Sequence, residues 1–250
     1  IETGVLCDPP VKAAFALHVW PELMTGEVAV RNGVMMAASD RVKITIYGTS
    51  AHAARPHLGT DAIVIAASII NELQKIISRN IDPLDSAVIT FGKINGGTVA
   101  NVIANQVELF GSIRSLNEQT RYKIRERIYC VAQKISDAHG GKCDIEYLMG
   151  HPATINDPEL AEIVRCALQE NFSPSNVISN ISPAMTAEDF AYYAREIPGV
   201  LMWLGCRPIS AGKDGFPGLH NNKFCPDEGC IAEGIKAFIS AVYGYFDKIR

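Results

Sequence analysis

The stretch YGTSAHAARPHLGTDA, Tyr47 to Ala62, sets His52, Arg55 and His57 in a turn of small residues. Imidazole moves between neutral donor and cation near neutral pH, and a guanidinium grips a carboxylate with two parallel bonds. The turn is therefore either a solvated loop or an arm shaped to reach a ligand. His18 in ALHVWPE closes an apolar strand, and His220 in PGLHNNKF lies in a Gly/Pro-rich loop. Ligands of open α/β sheets gather outside the carboxyl ends of strands, where both histidines can meet. Two histidines do not complete a catalytic zinc site, which needs at least one more protein ligand, commonly a carboxylate. Glu188 and Asp189 in MTAEDFAYY are candidate donors or supports for donors. They read equally well as acidic residues in a helix's first turn, where the dipole favours them. In GGTVANVI, paired glycines bring backbone close to a ligand or another chain, and Asn101 offers a donor and an acceptor. Arg114 lies on the strand that returns after this stretch, and a hairpin turn between them could set the two side chains near each other.

These residues need elements to hold them. Val42, Ile44 and Ile46 alternate with polar neighbours in a strand over 41–47, followed by an apolar helix over roughly 61–78. Strands at 86–94 and 106–114, a helix from Glu118 to Ala138 stopped by HGG, and a strand at 143–149 complete the set. The order β-α-β-β-α-β is the split arrangement of a four-stranded antiparallel sheet with two helices on one face. Outside it, the spacing predicts a buried strand over Ala13–Val19 and a short strand near 27–31. Further on it predicts a helix over 157–172 capped by Asp157 with Pro158 first, a short helix near 187–195, a strand at 200–205 and a last helix from about 227 to 246. The fold class is α/β, with 1–39 and 151–250 as two parts of one domain and 40–150 inserted between them.

Composition narrows the function. The chain has 250 residues, 48% hydrophobic and 20% charged, with a net charge of -4, as a soluble globular protein has. It has no basic block for nucleic acid and no apolar run long enough to span a bilayer. Seven cysteines without a Cys-x-x-Cys pair suit a reduced, cytoplasmic protein. The N-terminus has neither an initiator methionine nor a signal-peptide pattern and starts in mid-architecture. It reads as one piece of a longer polypeptide whose N-terminal half is missing here.

Taken together, LHVWPE, SAHAARPHLGTDAI, SRNIDPLDSAVITFGKINGGTVANVI, GSIRS, MTAEDFAYY and LHNNKF resemble the aminoacylase and hippurate-hydrolase group of co-catalytic metallopeptidases, from about residue 5 to the C-terminus. The resemblance implies metal-dependent hydrolysis of the amide bond of N-acyl amino acids. It also implies a di-metal α/β catalytic domain carrying a ferredoxin-like inserted domain that forms a homodimer. On it, His18 and His220 match metal ligands, one for each of two divalent ions (zinc or manganese, with cobalt or nickel as other choices). His52 matches a histidine that reaches the carbonyl oxygen as it becomes an oxyanion, often from the partner subunit. Asn101 and Arg114 match the pair that binds the substrate carboxylate, and Glu188 and Asp189 an acidic motif near the site. The chain departs from the pattern in having no Asp-Gly-His and no Glu-Glu dipeptide. The other ligands and the general base are expected upstream, and the chain alone is expected to be inactive, to bind metal weakly and to aggregate. The alternative is a non-catalytic dimerisation or binding module that has lost the metal centre.

Overall fold

The computed structural model describes residues 1–212 and 216–248. Its elements run β1 (Ala14–Met24), β2 (Val28–Ala29), β3 (Gly33–Met36), β4 (Ala38–Tyr47), α1 (Ala62–Asn80), β5 (Ala87–Gly96), β6 (Gln106–Ser115) and α2 (Glu118–Ala138). They continue as β7 (Lys142–Met149), β8 (Thr154–Asn156), α3 (Pro158–Asn171), β9 (Val177–Ile178), α4 (Ala191–Glu196), β10 (Gly199–Arg207) and α5 (Gly229–Lys248). The chain divides into two compact units. One is Ala37–Ala153 with Met185–Ala187, and the other joins Ile1–Met36, Thr154–Ala184 and the described residues from Glu188 onward. Among the described residues no helix is long and apolar enough to cross a membrane.

The continuous unit has the split β-α-β-β-α-β order, with its sheet arranged β5-β6-β4-β7 and antiparallel throughout. Alternation along β4 sends Val42, Ile44 and Ile46 inward, onto Ile65, Ile69 and Leu73 of α1 and Ile124 and Ile128 of α2. Both helices start on side-chain caps. The Asp61 carboxylate accepts from the amides of Ile63 and Val64, and Asn117 accepts from those of Gln119 and Thr120. Such a cap is worth about 1 kcal/mol. Asp40 is buried, with its carboxylate accepting from Arg121 Nε at 2.9 Å, Arg121 Nη2 at 2.5 Å, the Tyr147 hydroxyl at 2.8 Å and the Gly150 amide at 2.9 Å. This clamp joins the first residues of β4, α2 and the end of β7. Burial beside that carboxylate pushes the Tyr147 phenol well above its ordinary value.

The discontinuous unit holds a mixed sheet ordered β1-β10-β2-β9, in which β1 and β10 run parallel. Helices α3 and α5 pack on one face, over Val200, Met202, Leu204 and Cys206 of β10. The Asp157 carboxylate accepts from the Leu160 amide, and Pro158 occupies the first turn of α3, as its sequence indicates. Three elements are new to the sequence reading: the short β3–β8 ladder and β9, all of four residues or fewer.

Strand β1 differs from expectation. It does not stop at Val19 but continues to Met24 through an irregularity between Trp20 and Met24, where five residues of β1 span three of β10. Pro21 has no amide hydrogen to give the ladder, and a bulge is where a strand accommodates such a residue. Gly205 makes room, since a Cβ there would overlap the Met24 carbonyl oxygen. His18 therefore sits in mid-strand, opposite Trp203. Its position at a strand end is corrected.

Candidate active-site residues

Within the continuous unit, the turn that carries His52 is tied to the loop that carries Asn101. Thr49 and Thr60 exchange backbone bonds of 2.9 and 3.0 Å that close the turn. The Ala53 amide donates to the Asn101 carbonyl at 3.0 Å and the Ile103 amide to that of Ala51 at 2.9 Å, while His52 bridges Val102. Glycine is required for this closeness: a Cβ on Gly59 would lie 2.6 Å from the Thr49 carbonyl oxygen, and one on Gly48 would overlap that of Thr60. His52 is exposed, and its Nδ1 accepts from the Ala54 amide at 3.0 Å. A ring nitrogen that accepts carries no proton, so the neutral imidazole holds its hydrogen on Nε2 and presents a donor to solvent. Arg55 and His57 are exposed on the same turn.

Arg114 does not join them. It pairs with Ser39 and Val88 near the far end of β6, whereas the Asn101 loop precedes Gln106 at the near end. Eight residue steps along the strand separate Gln106 from Arg114, roughly 27 Å at ~3.4 Å per step. The expectation that one hairpin brings Asn101 and Arg114 together is thus corrected, because they lie at opposite ends of the strand that returns. Arg114 is half-buried, and burial first, then the charge of Arg41, holds its guanidinium below the ordinary value, with Asp40 opposing. Arg41 was missed by sequence reasoning. Its signal was the alternation of β4, which puts residues 41 and 43 on the face away from the core.

In the discontinuous unit, β1 sends Phe15, Leu17 and Val19 toward α3 and α5, and Ala14, Ala16 and Trp20 to the opposite face. The two-residue period puts His18 on that opposite face, its ring edge-on to Trp20 with centroids 6.2 Å apart. Trp20 stacks on Trp203 at 3.9 Å and 2°. His18 Nδ1 lies 2.7 Å from the Val19 carbonyl, which can only accept, so Nδ1 donates and Nε2 keeps a free lone pair. Metal-binding histidines are commonly fixed this way. Leu219 packs on the Trp20–Trp203 cluster and leads into His220, whose φ of 62° is the one positive value among described non-glycine residues. Histidine tolerates this region better than most side chains.

Glu188 and Asp189 precede α4 rather than filling its first turn, a correction to the helix predicted from about 187. The helix begins at Ala191, after Phe190, whose amide donates to Glu188 Oε2 at 2.6 Å and fixes that carboxylate outside the helix. Burial chiefly pushes the Glu188 carboxyl above its ordinary value, against the Phe190 amide bond. Asp189 adds to the rise, and nearby His18 opposes it. Among the described residues no three His, Cys, Asp or Glu side chains are placed to hold a metal ion.

Comparison with known proteins fixes the family to which these two folded units belong. Residues 1–243 match Peptidase family M20/M25/M40, and the chain belongs to that family. It is 42% identical over 228 residues to an N-acetyldiaminopimelate deacetylase of Geobacillus sp. (strain WCH70), covering 91% of this chain and 58% of that protein. It is 38% identical over 231 residues to the N-acetyl-L-cysteine deacetylase of Bacillus subtilis (strain 168), covering 92% of this chain and 53% of the relative. The solved structure of the Bacillus subtilis YXEP protein, a dinuclear metal binding peptidase of the M20 family, superposes with a TM-score of 0.75 at 27% identity. It matches 96% of this chain and 58% of its own. The chain thus spans a little over half the length of the relatives it matches.

Proposed function

We propose that a polypeptide of its relatives' length, containing this chain, hydrolyses the amide bond of N-acyl amino acids. The observation that carries the reading is the fixed tautomer of His52 beside the Asn101 loop. An Nε2 hydrogen held outward by the turn suits a carbonyl oxygen that gains negative charge, and such a donor is typically worth ~3 kcal/mol of barrier. Arg114, half-buried with Arg41 beside it and with Asp40 already engaged by Arg121, suits the free carboxylate of the amino-acid portion. One carboxylate cannot span both ends of β6, so Asn101 and Arg114 act on it together only when supplied by two copies of the chain. That arrangement supports a homodimer in which the continuous unit provides the contact.

His18 and His220 are proposed as donors to two divalent cations, zinc or manganese, or cobalt or nickel, all of which accept histidine and carboxylate. The tautomer of His18 fits this role, with Glu188 and Asp189 as neighbouring carboxylates. The described donors do not by themselves complete a centre, so the water-activating base and the remaining ligands are assigned to polypeptide outside this chain. The cytoplasm is the proposed compartment. The same incompleteness favours a second reading, a dimerisation or binding module without catalysis. Assaying N-acetyl-L-cysteine, N-acetyldiaminopimelate and hippurate with manganese or zinc separates the two. The family-length polypeptide should turn over at least one of them and the 250-residue chain none. A family-length polypeptide that is metal-loaded and inert on all three supports the module, and turnover by the chain alone contradicts the division of ligands.

A further inference from the structure

The face of the β5-β6-β4-β7 sheet that turns away from α1 and α2 carries cations that are treated in two ways. In mid-sheet, Lys43 meets Glu108 at 3.0 Å and Glu146 at 3.5 Å. Toward the Arg114 end nothing answers. Arg41 and Arg114 make neither an ion pair nor a side-chain hydrogen bond among the described residues. The register makes them neighbours: Arg114 lies opposite Ser39 and Arg41 opposite Ser112, so the four side chains form one square. Diagonal partners in such a square are ~7–8 Å apart at Cα, within reach of long side chains. Both serines are short, which leaves the space between the guanidiniums open. Asp40, next in sequence to Arg41, points to the other face, where Arg121, Tyr147 and the Gly150 amide already engage its carboxylate. Like charges held side by side without a counter-ion destabilise a sheet, and the charge of Arg41 is one cause of the lowered Arg114 value.

A pair arranged in this way is met by an anion, and by one with two carboxylates rather than one. Each guanidinium holds a carboxylate by two parallel bonds, so a single carboxylate matched to Arg114 leaves Arg41 without a partner. The two also differ in depth: Arg114 is half-buried, whereas Arg41 is exposed and suits the outer end of a ligand. We infer that Arg41 is a specificity-determining residue. Arg114 takes the carboxylate next to the amide, and Arg41 takes a second carboxylate at the end of the side chain. The amino-acid portion of the substrate is therefore acidic, of the aspartate or glutamate class. The inference rests on the proposed hydrolysis for the role of Arg114 and adds to it the residue that selects the side chain.

Binding and turnover are read separately in the family-length polypeptide. L-Glutamate and L-glutamine differ by one charge at nearly equal size, as do L-aspartate and L-asparagine. Calorimetric titration should show the acid of at least one pair bound roughly ten- to a hundredfold more tightly than its amide, as a charge-assisted bond provides. Arg41→Gln should abolish that preference and leave the amide bound as before, and Arg41→Lys should restore part of it. Lys93→Gln, on the same face over the Phe110 ring, should change neither. The thermal melt of Arg41→Gln should match or exceed the parent's, since a like-charge contact is removed. In turnover of the N-acetyl derivatives, Arg41→Gln should raise KM for the acid and leave kcat and the amide's KM little changed. Three results overturn the inference: acid and amide bound alike in both pairs, acid and amide weakened equally by Arg41→Gln, or a loss confined to kcat. An Arg41-dependent preference in a polypeptide that hydrolyses no N-acyl amino acid upholds the role of Arg41 and contradicts the catalytic reading.

Discussion

The two four-stranded sheets of this chain finish differently at their borders. In the continuous unit, α1 and α2 cover one face of the sheet, and the other face is polar. There Lys43 reaches Glu108 at 3.0 Å and Glu146 at 3.5 Å, and Lys43 and Lys93 sit over the Phe110 ring. An antiparallel sheet can face water on one side, so this unit needs nothing further to close its core. The discontinuous unit keeps an apolar strand on its edge and an apolar stripe on its outer helix. The unit that carries His52 has one covered and one polar sheet face, while the unit that carries His18 and His220 leaves an apolar strand on its sheet edge and an apolar stripe of α5 in solvent.

The comparison can be broken most strongly at the Asp40 clamp. Asp40→Ala leaves the Arg121 guanidinium buried without its main partner and should destabilise the continuous unit by about 3–5 kcal/mol. Both tryptophans, Trp20 and Trp203, lie in the other unit. Urea denaturation should therefore show earlier loss of helical circular dichroism with tryptophan fluorescence changed far less. A second probe acts on the discontinuous unit. Burial, with Cys230 adding to it, pushes the Cys206 thiol from 9.0 to about 11. As pH rises the unfolded chain loses this proton first, so the thiol's contribution is full below about 9 and declines up to about 11. Cys206→Ala should flatten that decline in tryptophan-monitored melts, and a slope equal to that of the parent would exclude the thiol as its cause. Smaller still, Asp61→Ala should cost about 1 kcal/mol through loss of the α1 cap, read from amide exchange in α1. Smallest of all, Ile235→Glu in the chain alone should change stability by less than about 0.5 kcal/mol, since the side chain is already in water.

Much of this was readable from residue order. Period-two alternation at 41–47, the cap at Asp157, and the glycine stop after α2 located elements to within a few residues because each is a local device. What failed was non-local. The end of β1 depends on β10, which continues to pair beyond the bulge at Pro21. The start of α4 is a local exception, set by the Glu188 carboxylate taking the Phe190 amide two residues on. The β3–β8 ladder and β9 are too short to show a period. For the site, His52 and Asn101 were expected as ligand-facing and are found laced together, because both sit on loops joined by main-chain bonds. Their separation from Arg114 was hidden, since spacing along the chain does not reveal that a whole strand lies between them.

That separation gives the most direct test of the claim that one active site draws on two copies of the chain. Asn101→Ala and Arg114→Ala are made separately in the family-length polypeptide, each expected to lose turnover of the N-acyl amino acid it hydrolyses. The two inactive proteins are then unfolded, mixed and refolded together. In a twofold dimer, half the molecules carry both variants, and each of these rebuilds one intact site of two, so activity should return to roughly a quarter of the parent's. A mixture as inactive as its components would contradict the two-copy site.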